Sequence, residues 1–308
     1  MAIIEASDLT KEFSSNLVLD GVNLLVSPGE VFGYLGPNGA GKTTTVRLMM
    51  GLLTPTSGQA RIFGQDPMAS DALRVRAGVL MENSGLDDRM TAYECLDYHA
   101  HLYGMIDPAP RIEELLDFAG LWERRGDRVG GFSTGMKRKL GIARAICHEP
   151  DLLFLDEPSA GLDPEGQKMI RELLLELSAT QHMTVFINSH NLSEVERLCS
   201  RIAILNLGTI RATGTVQELR AQGGRPMVDI ILGEDEDAEA AGRAVEQAGL
   251  LEDWQANGSK LRAELDGHAG WEIVELLVKL GFRIEEVDKN SRTLEDVYLS
   301  IVGEQGEQ

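Results

Sequence analysis

The sequence predicts an α/β fold with a mostly parallel sheet, followed by a small α+β domain. Three observations indicate this fold. A glycine-rich segment joins a strand-like apolar run at 31–35 to a helix-like stretch at 44–53. Two more apolar runs, at 152–155 and 183–188, are typical of strands buried on both faces of a parallel sheet. Beyond residue 225 the chain becomes acidic, and strand-like stretches alternate with helix-like ones.

The composition excludes several classes of protein. The 308 residues carry a formal net charge of −20, which opposes wrapping by nucleic acid because a phosphate footprint needs a basic face. No segment approaches the roughly 18 to 20 uninterrupted apolar residues of a membrane-spanning helix, and the first residues do not form a secretion signal. Cys95, Cys147 and Cys199 are widely spaced, as buried cysteines in a reducing compartment are. We therefore expect a globular protein that is neither secreted nor integral to a membrane.

Four short strands are predicted around the glycine-rich segment. They lie at 3–9, 17–26, 59–63 and 77–81, where β-branched residues and leucines are bounded by turn residues. Phe13 lies between the first two. Its ring offers a face on which a nucleotide base can stack, although its position alone favours packing in the core.

The segment Gly36–Thr43, GPNGAGKT, matches the pattern GxxxxGK[ST] at Gly36, Gly41, Lys42 and Thr43. Glycines let several backbone N–H groups turn towards one phosphate chain, and the following helix directs its positive dipole end at the same phosphates. We expect Lys42 to reach the β- and γ-phosphates and the Thr43 hydroxyl to bind Mg²⁺. An ordinary glycine-rich turn is the alternative, which the flanking strand and helix disfavour.

A helical insertion is predicted from residue 87 to about 145, because apolar residues there recur at helical spacing. Its last helix covers 132–146, with Ser133 and Thr134 as N-cap residues. The basic residues 137–139 oppose the dipole of this helix. An anion at the helix start would remove the conflict, although a solvated basic face is the commoner explanation.

Asp156 and Glu157 directly follow an apolar run. Ligands bind at the carboxyl ends of parallel strands, so both acids should lie beside the phosphate loop. Successive side chains on a strand point to opposite faces, so one acid can face a metal ion while the other faces the attacking water. We assign Asp156 to Mg²⁺, through water, and Glu157 to the general base. Two solvated acids in a capped loop are the alternative.

Ser189 and His190 follow the next buried strand. A single histidine is usually structural, but a place at this edge of the sheet favours a hydrogen bond from His190 to the γ-phosphate. Helices at 165–179 and 191–199 and strands at 201–206 and 209–213 complete this part of the chain.

The order of these motifs resembles that in the ATP-binding subunits of ABC transporters, over residues 1 to about 220. GPNGAGKT matches the Walker A loop of that family, LLFLDEP its Walker B strand and SAGLD its D-loop, and His190 is similar to its switch histidine. The resemblance implies a P-loop NTPase domain at 1–225, with a helical signature subdomain at about 87–145 and an antiparallel β subdomain.

The resemblance also implies ATP and Mg²⁺ as cofactors and assigns the residues of the site. Lys42, Glu157 and His190 would be catalytic. The metal residues would be Thr43, Asp156 and Glu82. The nucleotide would be bound by Phe13, stacked on adenine, and by Gly36, Pro37, Asn38, Gly39, Ala40, Gly41, Lys42, Thr43, Thr44, Ser133 and Gly135.

Two motifs depart from the pattern of the family. The signature, usually LSGGQ, is FSTGM at 132–136, so Thr134 replaces a glycine, while Ser133 and Gly135 are retained. The Q-loop glutamine is replaced by Glu82, whose carboxylate can still serve a metal ion. Both departures resemble the corresponding motifs in the branch of the family that contains drug, sodium and antibiotic exporters.

The resemblance implies that one chain cannot complete an active site, because the Walker A loop of one subunit faces the signature of another. We therefore expect a homodimer, or a heterodimer with a second ATPase subunit. The membrane path would belong to a separate integral membrane permease, seated on the helical insertion, with this chain peripheral to the cytoplasmic face of the membrane. The alternatives are an ABC-type ATPase acting on ribosomes or DNA, and a scaffold that binds ATP without turnover.

Residues 226–308 form the predicted acidic accessory domain. They hold 20 Asp or Glu against 7 Lys or Arg, which accounts for 13 of the 20 net negative charges. Strands are predicted at 228–232, 261–265 and 283–287, and helices at 238–248, 270–280 and 294–302. This alternation predicts an α+β domain of ferredoxin-like type.

Overall fold

The computed structural model describes residues 2–69, 71–81, 85–222, 227–233, 236–251, 253–265, 270–288 and 293–303. The chain divides into two compact units, Met1–Thr215 and Val216–Gln308. This division precedes the boundary predicted at 225/226, because the helix Val216–Gln222 belongs to the second unit.

A six-stranded sheet forms the centre of the first unit. Its strand order is β5-β6-β7-β3-β8-β9, and only β9 runs antiparallel to its neighbour. All residues of β3, β6 and β7 are buried, as the continuous apolar runs predict. The strands are β3 (Val31–Leu35), β5 (Ala77–Leu80), β6 (Leu152–Asp156), β7 (Thr184–Ser189), β8 (Arg201–Asn206) and β9 (Thr209–Thr215).

A second, antiparallel sheet has the order β2-β1-β4, with β1 (Ile4–Phe13), β2 (Asn16–Val26) and β4 (Ser57–Ile62). Its buried leucines and isoleucines belong to the same hydrophobic core as Phe32, Phe154 and Phe186 of the central sheet. Phe186 lies between the other two rings, with centroid distances of 5.8 Å and 5.5 Å. This sheet is the predicted antiparallel β subdomain.

Helices flank the central sheet and form the insertion between β5 and β6. Helices α3, α4 and α5 of the insertion contact one another. The short α2 is not predicted, because five residues are too few to show a helical period. No helix in the described ranges is long and apolar enough to cross a bilayer. The helices of this unit are α1 (Lys42–Met49), α2 (Asp71–Val75), α3 (Ala92–Leu102), α4 (Ala109–Phe118), α5 (Thr134–Ala145), α6 (Pro164–Gln181) and α7 (Leu192–Leu198).

The second unit has an antiparallel sheet of order β11-β12-β10-β13. Its βαββαβ order is that of the predicted ferredoxin-like fold. Sequence reasoning missed β11, which has only four residues, two of them polar. The elements are α8 (Val216–Gln222), β10 (Met227–Leu232), α9 (Ala238–Gln247), β11 (Trp254–Asn257), β12 (Lys260–Glu264), α10 (Gly270–Lys279), β13 (Ile284–Asp288) and α11 (Leu294–Gly303).

Gly242 on α9 marks the closest packing in this second core. A Cβ at this position would lie 2.3 Å from Cε3 of Trp254, whose indole Nε1 donates to Glu246 at 3.1 Å. The helix can therefore approach β11 only because residue 242 has no side chain.

We predict that Gly242→Ala destabilises the second unit by about 1–3 kcal/mol, because the added methyl must displace Trp254 or the helix. Urea unfolding followed by tryptophan fluorescence measures the change in free energy. Gly270→Ala is the matched control, since the atom nearest to its Cβ would be Val228 Cγ2 at 3.7 Å. Equal stability of the two variants would contradict this account of the packing.

Candidate active site

The glycine-rich segment lies at the carboxyl edge of the central sheet. Strand β3 ends at Leu35 and α1 begins at Lys42, so the residues between them form the connecting loop. The ends of β6 and β7 meet this loop and enclose with it a cavity of about 300 Å³. The structure thus brings together the predicted loop residues and the predicted acids and histidine. The cavity is lined by Asn38, Gly39, Gly41, Lys42, Thr43, Thr44, Asp156, Glu157 and His190, together with Val18, Ala160 and Asn188.

Three positions of the loop require glycine. A Cβ on Gly36 would lie 2.4 Å from the carbonyl oxygen of Leu205, and one on Gly41 would lie 2.6 Å from Cδ2 of Leu19. Gly39 and Gly41 also have φ of 83° and 105°, which side chains disfavour. The loop therefore leaves room for a ligand beside its main chain, and the N-terminus of α1 adds a positive dipole end.

Lys42 lies across this loop and is buried. Its Nζ donates to the carbonyl oxygens of Gly36 at 2.8 Å and Pro37 at 3.2 Å. Burial lowers the pKa of Lys42, and the charges of Glu157 and Asp156 act in the opposite direction. The ammonium group can exchange these carbonyl oxygens for the oxygens of an anion without leaving the loop.

Asp156 is held by two neighbours at the end of β6. Thr43 donates from Oγ1 to its Oδ2 at 3.1 Å, and Asn188 donates from Nδ2 to its Oδ1. The Oδ1 of Asn188 is buried and has no hydrogen-bond partner among the described residues. A hydroxyl, a carboxylate and an amide oxygen are the hard ligands that Mg²⁺ binds. Asn188 was not predicted, because one asparagine in an apolar strand carries no pattern.

The described residues contain no group of three or more His, Cys, Asp or Glu that could hold a metal ion. Thr43 and Asp156 offer two oxygen ligands, which suit an ion that keeps water and phosphate oxygens in its shell, as Mg²⁺ usually does. The predicted metal residue Glu82 lies outside the described residues.

The orientation of Glu157 corrects the expectation from strand alternation. Strand β6 ends at Asp156, and Glu157 adopts the left-handed conformation with φ of 52°. Its N–H donates to the carbonyl of Asn188 at 2.8 Å. Alternation along a strand therefore does not set the direction of the Glu157 side chain. The turn sets it.

His190 and Ser189 hold the Glu157 carboxylate. His190 Nδ1 lies 2.8 Å from Oε1 of Glu157, and Ser189 donates from Oγ to Oε2 at 3.4 Å. The Glu157 side chain is 15% exposed, against 57% for His190. The carboxylate is thus fixed at the cavity while the ring of His190 remains accessible.

A second carboxylate, that of Glu194, lies behind this pair. It is buried and accepts hydrogen bonds from the hydroxyls of Ser159 and, at 3.5 Å, Ser189. Burial raises the pKa of Glu194, and the hydrogen bond from Ser159 opposes the rise. Nothing in the sequence separates Glu194 from the other acids of α7, so it was not predicted.

Six predicted nucleotide-binding residues do not line this cavity: Gly36, Pro37 and Ala40, which belong to the same loop, and Phe13, Ser133 and Gly135. Phe13 is 42% exposed at the end of β1, with Lys11 Nζ 4.9 Å from the centre of its ring. Ser133 and Gly135, at the start of α5, line a separate cavity with Leu162 and Asp163. Ser133 caps the helix, because its Oγ accepts from the N–H of Met136. A single chain therefore holds the two halves of the expected site apart.

Two of the three basic residues at the start of α5, Lys137 and Arg138, have partners within the chain. Lys137 pairs with Asp88 at 2.7 Å, and the buried Arg138 donates to the main-chain carbonyls of Met81 and Glu157. An anion at this helix start is therefore not needed to explain the charge of Lys137 or that of Arg138.

The mixed sheet, the glycine-rich loop and the acids at the neighbouring strand end define a P-loop nucleotide-binding protein. An ABC transporter family model matches residues 19–160. The bacitracin transport ATP-binding protein BcrA of Bacillus licheniformis is 36% identical over 98% of this chain and 97% of its own length. The Nod factor export ATP-binding protein I of Burkholderia pseudomallei is 34% identical, with 98% of each chain covered.

A solved structure of an ATP binding subunit of an ABC transporter is 32% identical, with a TM-score of 0.66. The match covers 71% of this chain and 92% of the solved one. The chain belongs to the ABC transporter family, and the predicted family and P-loop fold are confirmed.

We predict that Asn188→Ala raises the Mg²⁺ concentration needed for half-maximal nucleotide binding by about tenfold. The amide holds the Asp156 carboxylate in place, and partners of metal ligands have effects of this size. Titration with Mg²⁺ and a fluorescent ATP analogue measures the change. Asn23→Ala is the control, since Asn23 makes the same contact with the exposed Asp8, at 2.9 Å. An unchanged requirement in Asn188→Ala would contradict the role of Asn188.

Proposed function

We propose that this chain hydrolyses ATP and thereby powers export through a separate membrane permease. The observation that carries the proposal is the position of the Glu157 carboxylate. It is held by His190 and Ser189 in the same cavity as Lys42, Thr43 and Asp156. A carboxylate fixed beside a phosphate-binding loop is suited to accept a proton from an attacking water.

The residues of the cavity fit a magnesium nucleotide. Main-chain N–H groups of the loop and the start of α1 would bind phosphate oxygens, and Lys42 would add its positive charge. Thr43 and Asp156 would hold Mg²⁺, with Asn188 orienting Asp156. Bound Mg²⁺ neutralises phosphate charge and eases attack at the terminal phosphorus.

Each side chain then has a separate task. Glu157 accepts the proton of the water. As the imidazolium, in which both ring nitrogens carry a proton, His190 can donate from Nδ1 to Glu157 and from Nε2 to a phosphate oxygen. Glu82 remains a proposed metal residue, and Phe13 a proposed stacking partner of adenine, as the resemblance implies.

Two copies of the chain, or one copy and a related ATPase subunit, would complete the site. Ser133 and Gly135 belong to the proposed site but line a cavity different from that of Lys42. A partner whose α5 start faces the phosphate loop would bring them to the nucleotide. The separation of these residues within one chain supports a dimer with two shared sites.

The proposed permease would bind the helical insertion. The end of α3 and the segment directly after it expose apolar side chains: Tyr98 is 51% exposed, Leu102 63% and Ile106 97%. Exposed apolar residues of this kind are typical of a protein contact. We propose that the chain is peripheral to the cytoplasmic face of the membrane. The relatives described above are named for transport and export, which favours export over action on ribosomes or DNA.

We predict that Glu157→Gln lowers the steady-state ATPase rate by at least about a hundredfold, because the amide cannot accept the proton. ATP affinity should stay within about twofold, since the phosphate contacts remain. With Mg²⁺-ATP bound, this variant should accumulate as a dimer in gel filtration.

The control for this prediction is Glu172→Gln on α6, an exposed residue 3.8 Å from Lys168. It should hydrolyse ATP at the wild-type rate. If Glu157→Gln retained wild-type turnover, Glu157 would not be the base. If the wild-type chain bound ATP without turnover, the scaffold alternative would be correct.

We predict that Ile106→Glu reduces the share of the chain recovered with salt-washed membranes of its own cells by at least about threefold. A charge in an apolar contact is costly, while the ATPase rate of the isolated chain should not change. The control is Leu175→Glu on α6, which places the same charge at an apolar residue elsewhere on the chain that is 42% exposed. Equal loss in both variants would argue against this end of α3 as the permease contact.

A further inference from the structure

Arg138 joins two parts of the first unit that are distant in sequence. It lies in the first half of α5, and the residue is only 6% exposed. Its Nη2 donates to the carbonyl oxygen of Glu157 at 2.6 Å, and its Nη1 donates to that of Met81 at 3.2 Å. One buried cation thus connects the helical insertion to the proposed base and to the end of β5.

Stability alone is a poor explanation for this arrangement. Removing a guanidinium group from water is unfavourable, so an apolar side chain would fill this position at a lower cost of desolvation. A cation near a helix N-terminus also opposes the helix dipole. The role of Arg138 therefore lies in the groups that these two hydrogen bonds hold in place.

The contact with Glu157 acts on a residue in the left-handed conformation, which non-glycine residues rarely adopt. Glu157 has φ of 52°, and its main chain is held at both ends. Its N–H donates to Asn188 at 2.8 Å, while its carbonyl accepts from Ala160 at 3.1 Å and from Arg138. Because φ and ψ set the direction of a side chain, a shift of this carbonyl would rotate the carboxylate.

Arg138 also lies close to the start of α5, the helix to which it belongs. Ser133 caps this helix and Gly135 lies in its first turn. Arg138 is three positions after Gly135, which is about 4.5 Å along the helix axis. A displacement of the helix start would therefore move the guanidinium group with it.

We propose that Arg138 is a positioning residue for ATP hydrolysis, which makes the position of Glu157 depend on that of helix α5. This inference rests on the proposed function and adds that the position of α5 regulates the hydrolysis step. In a site shared by two chains, Ser133 and Gly135 touch the nucleotide of the partner. Arg138 would then connect the nucleotide at one site to the base at the other.

The first test compares Arg138→Gln with Arg144→Gln. Arg144 is the matched control because it is a partly buried arginine of the same helix and donates to main-chain carbonyls, those of Val79 at 3.2 Å and Gly85 at 3.3 Å. We expect both variants to lose thermal stability. Only Arg138→Gln should lower kcat by about tenfold, with KM and ATP affinity within about twofold, because its effect falls on the base.

Two further variants separate positioning from general support. Arg138→Lys should recover part of kcat, because an ammonium group can reach one carbonyl but cannot bridge both as a guanidinium does. Ser133→Ala should also lower kcat, and its combination with Arg138→Gln should lower it by less than the product of the two effects, since both act through one connection.

The outcomes distinguish the inference from the function on which it rests. An active wild-type chain whose Arg138→Gln variant has wild-type kcat would overturn the inference alone. So would equal losses of kcat in Arg138→Gln and Arg144→Gln, or effects of Ser133→Ala and Arg138→Gln that multiply independently. A wild-type chain without ATPase activity would overturn the proposed function and the inference with it.

Discussion

The register of three parallel strands is the constraint on which the site depends. In β7, Asn188 is paired with both Tyr34 of β3 and Asp156 of β6. A shift by one residue would turn Asp156 away from Thr43 and place His190 elsewhere, because side chains alternate between faces. Large aromatic rings on the three strands, buried in one core, oppose such a shift. The packing of the core thus fixes the geometry at the edge of the sheet.

The same edge gathers three carboxylates within a small volume, and each has its own hydrogen bonds. Asp156 accepts from Thr43 and Asn188, while Glu157 is bound by His190 and Ser189. The hydroxyl of Ser189 also serves Glu194. Buried polar groups are costly unless they are paired, and hydrogen bonds at buried positions hold the groups that they join in place. The chain therefore orients these groups before a ligand binds, which is the condition for electrostatic stabilisation of a reaction.

The parts of the site that can be predicted from the sequence are those whose residues form contiguous motifs. The loop, the apolar strands and the acids after them follow from spacing and from the rule that ligands bind at strand ends. Asn188, Glu194 and Arg138 have no such pattern, because each matters through a contact made far along the chain. Glu157 shows a different limit of prediction from the sequence. Strand alternation does not apply to its side chain, because Glu157 follows the last residue of β6 in the left-handed conformation.

The helical insertion brings the proposed partner contacts onto one packed group of helices. The exposed end of α3 and the start of α5 belong to helices that contact each other, and Arg138 extends from α5 to the carbonyl of Glu157. A packed group of helices moves as a body, because close packing leaves little room for its members to shift separately. A force applied at α3 by a membrane partner would therefore reach α5, and through Arg138 the base. On these contacts, the proposed base and the proposed permease surface are connected through packed side chains within a single chain.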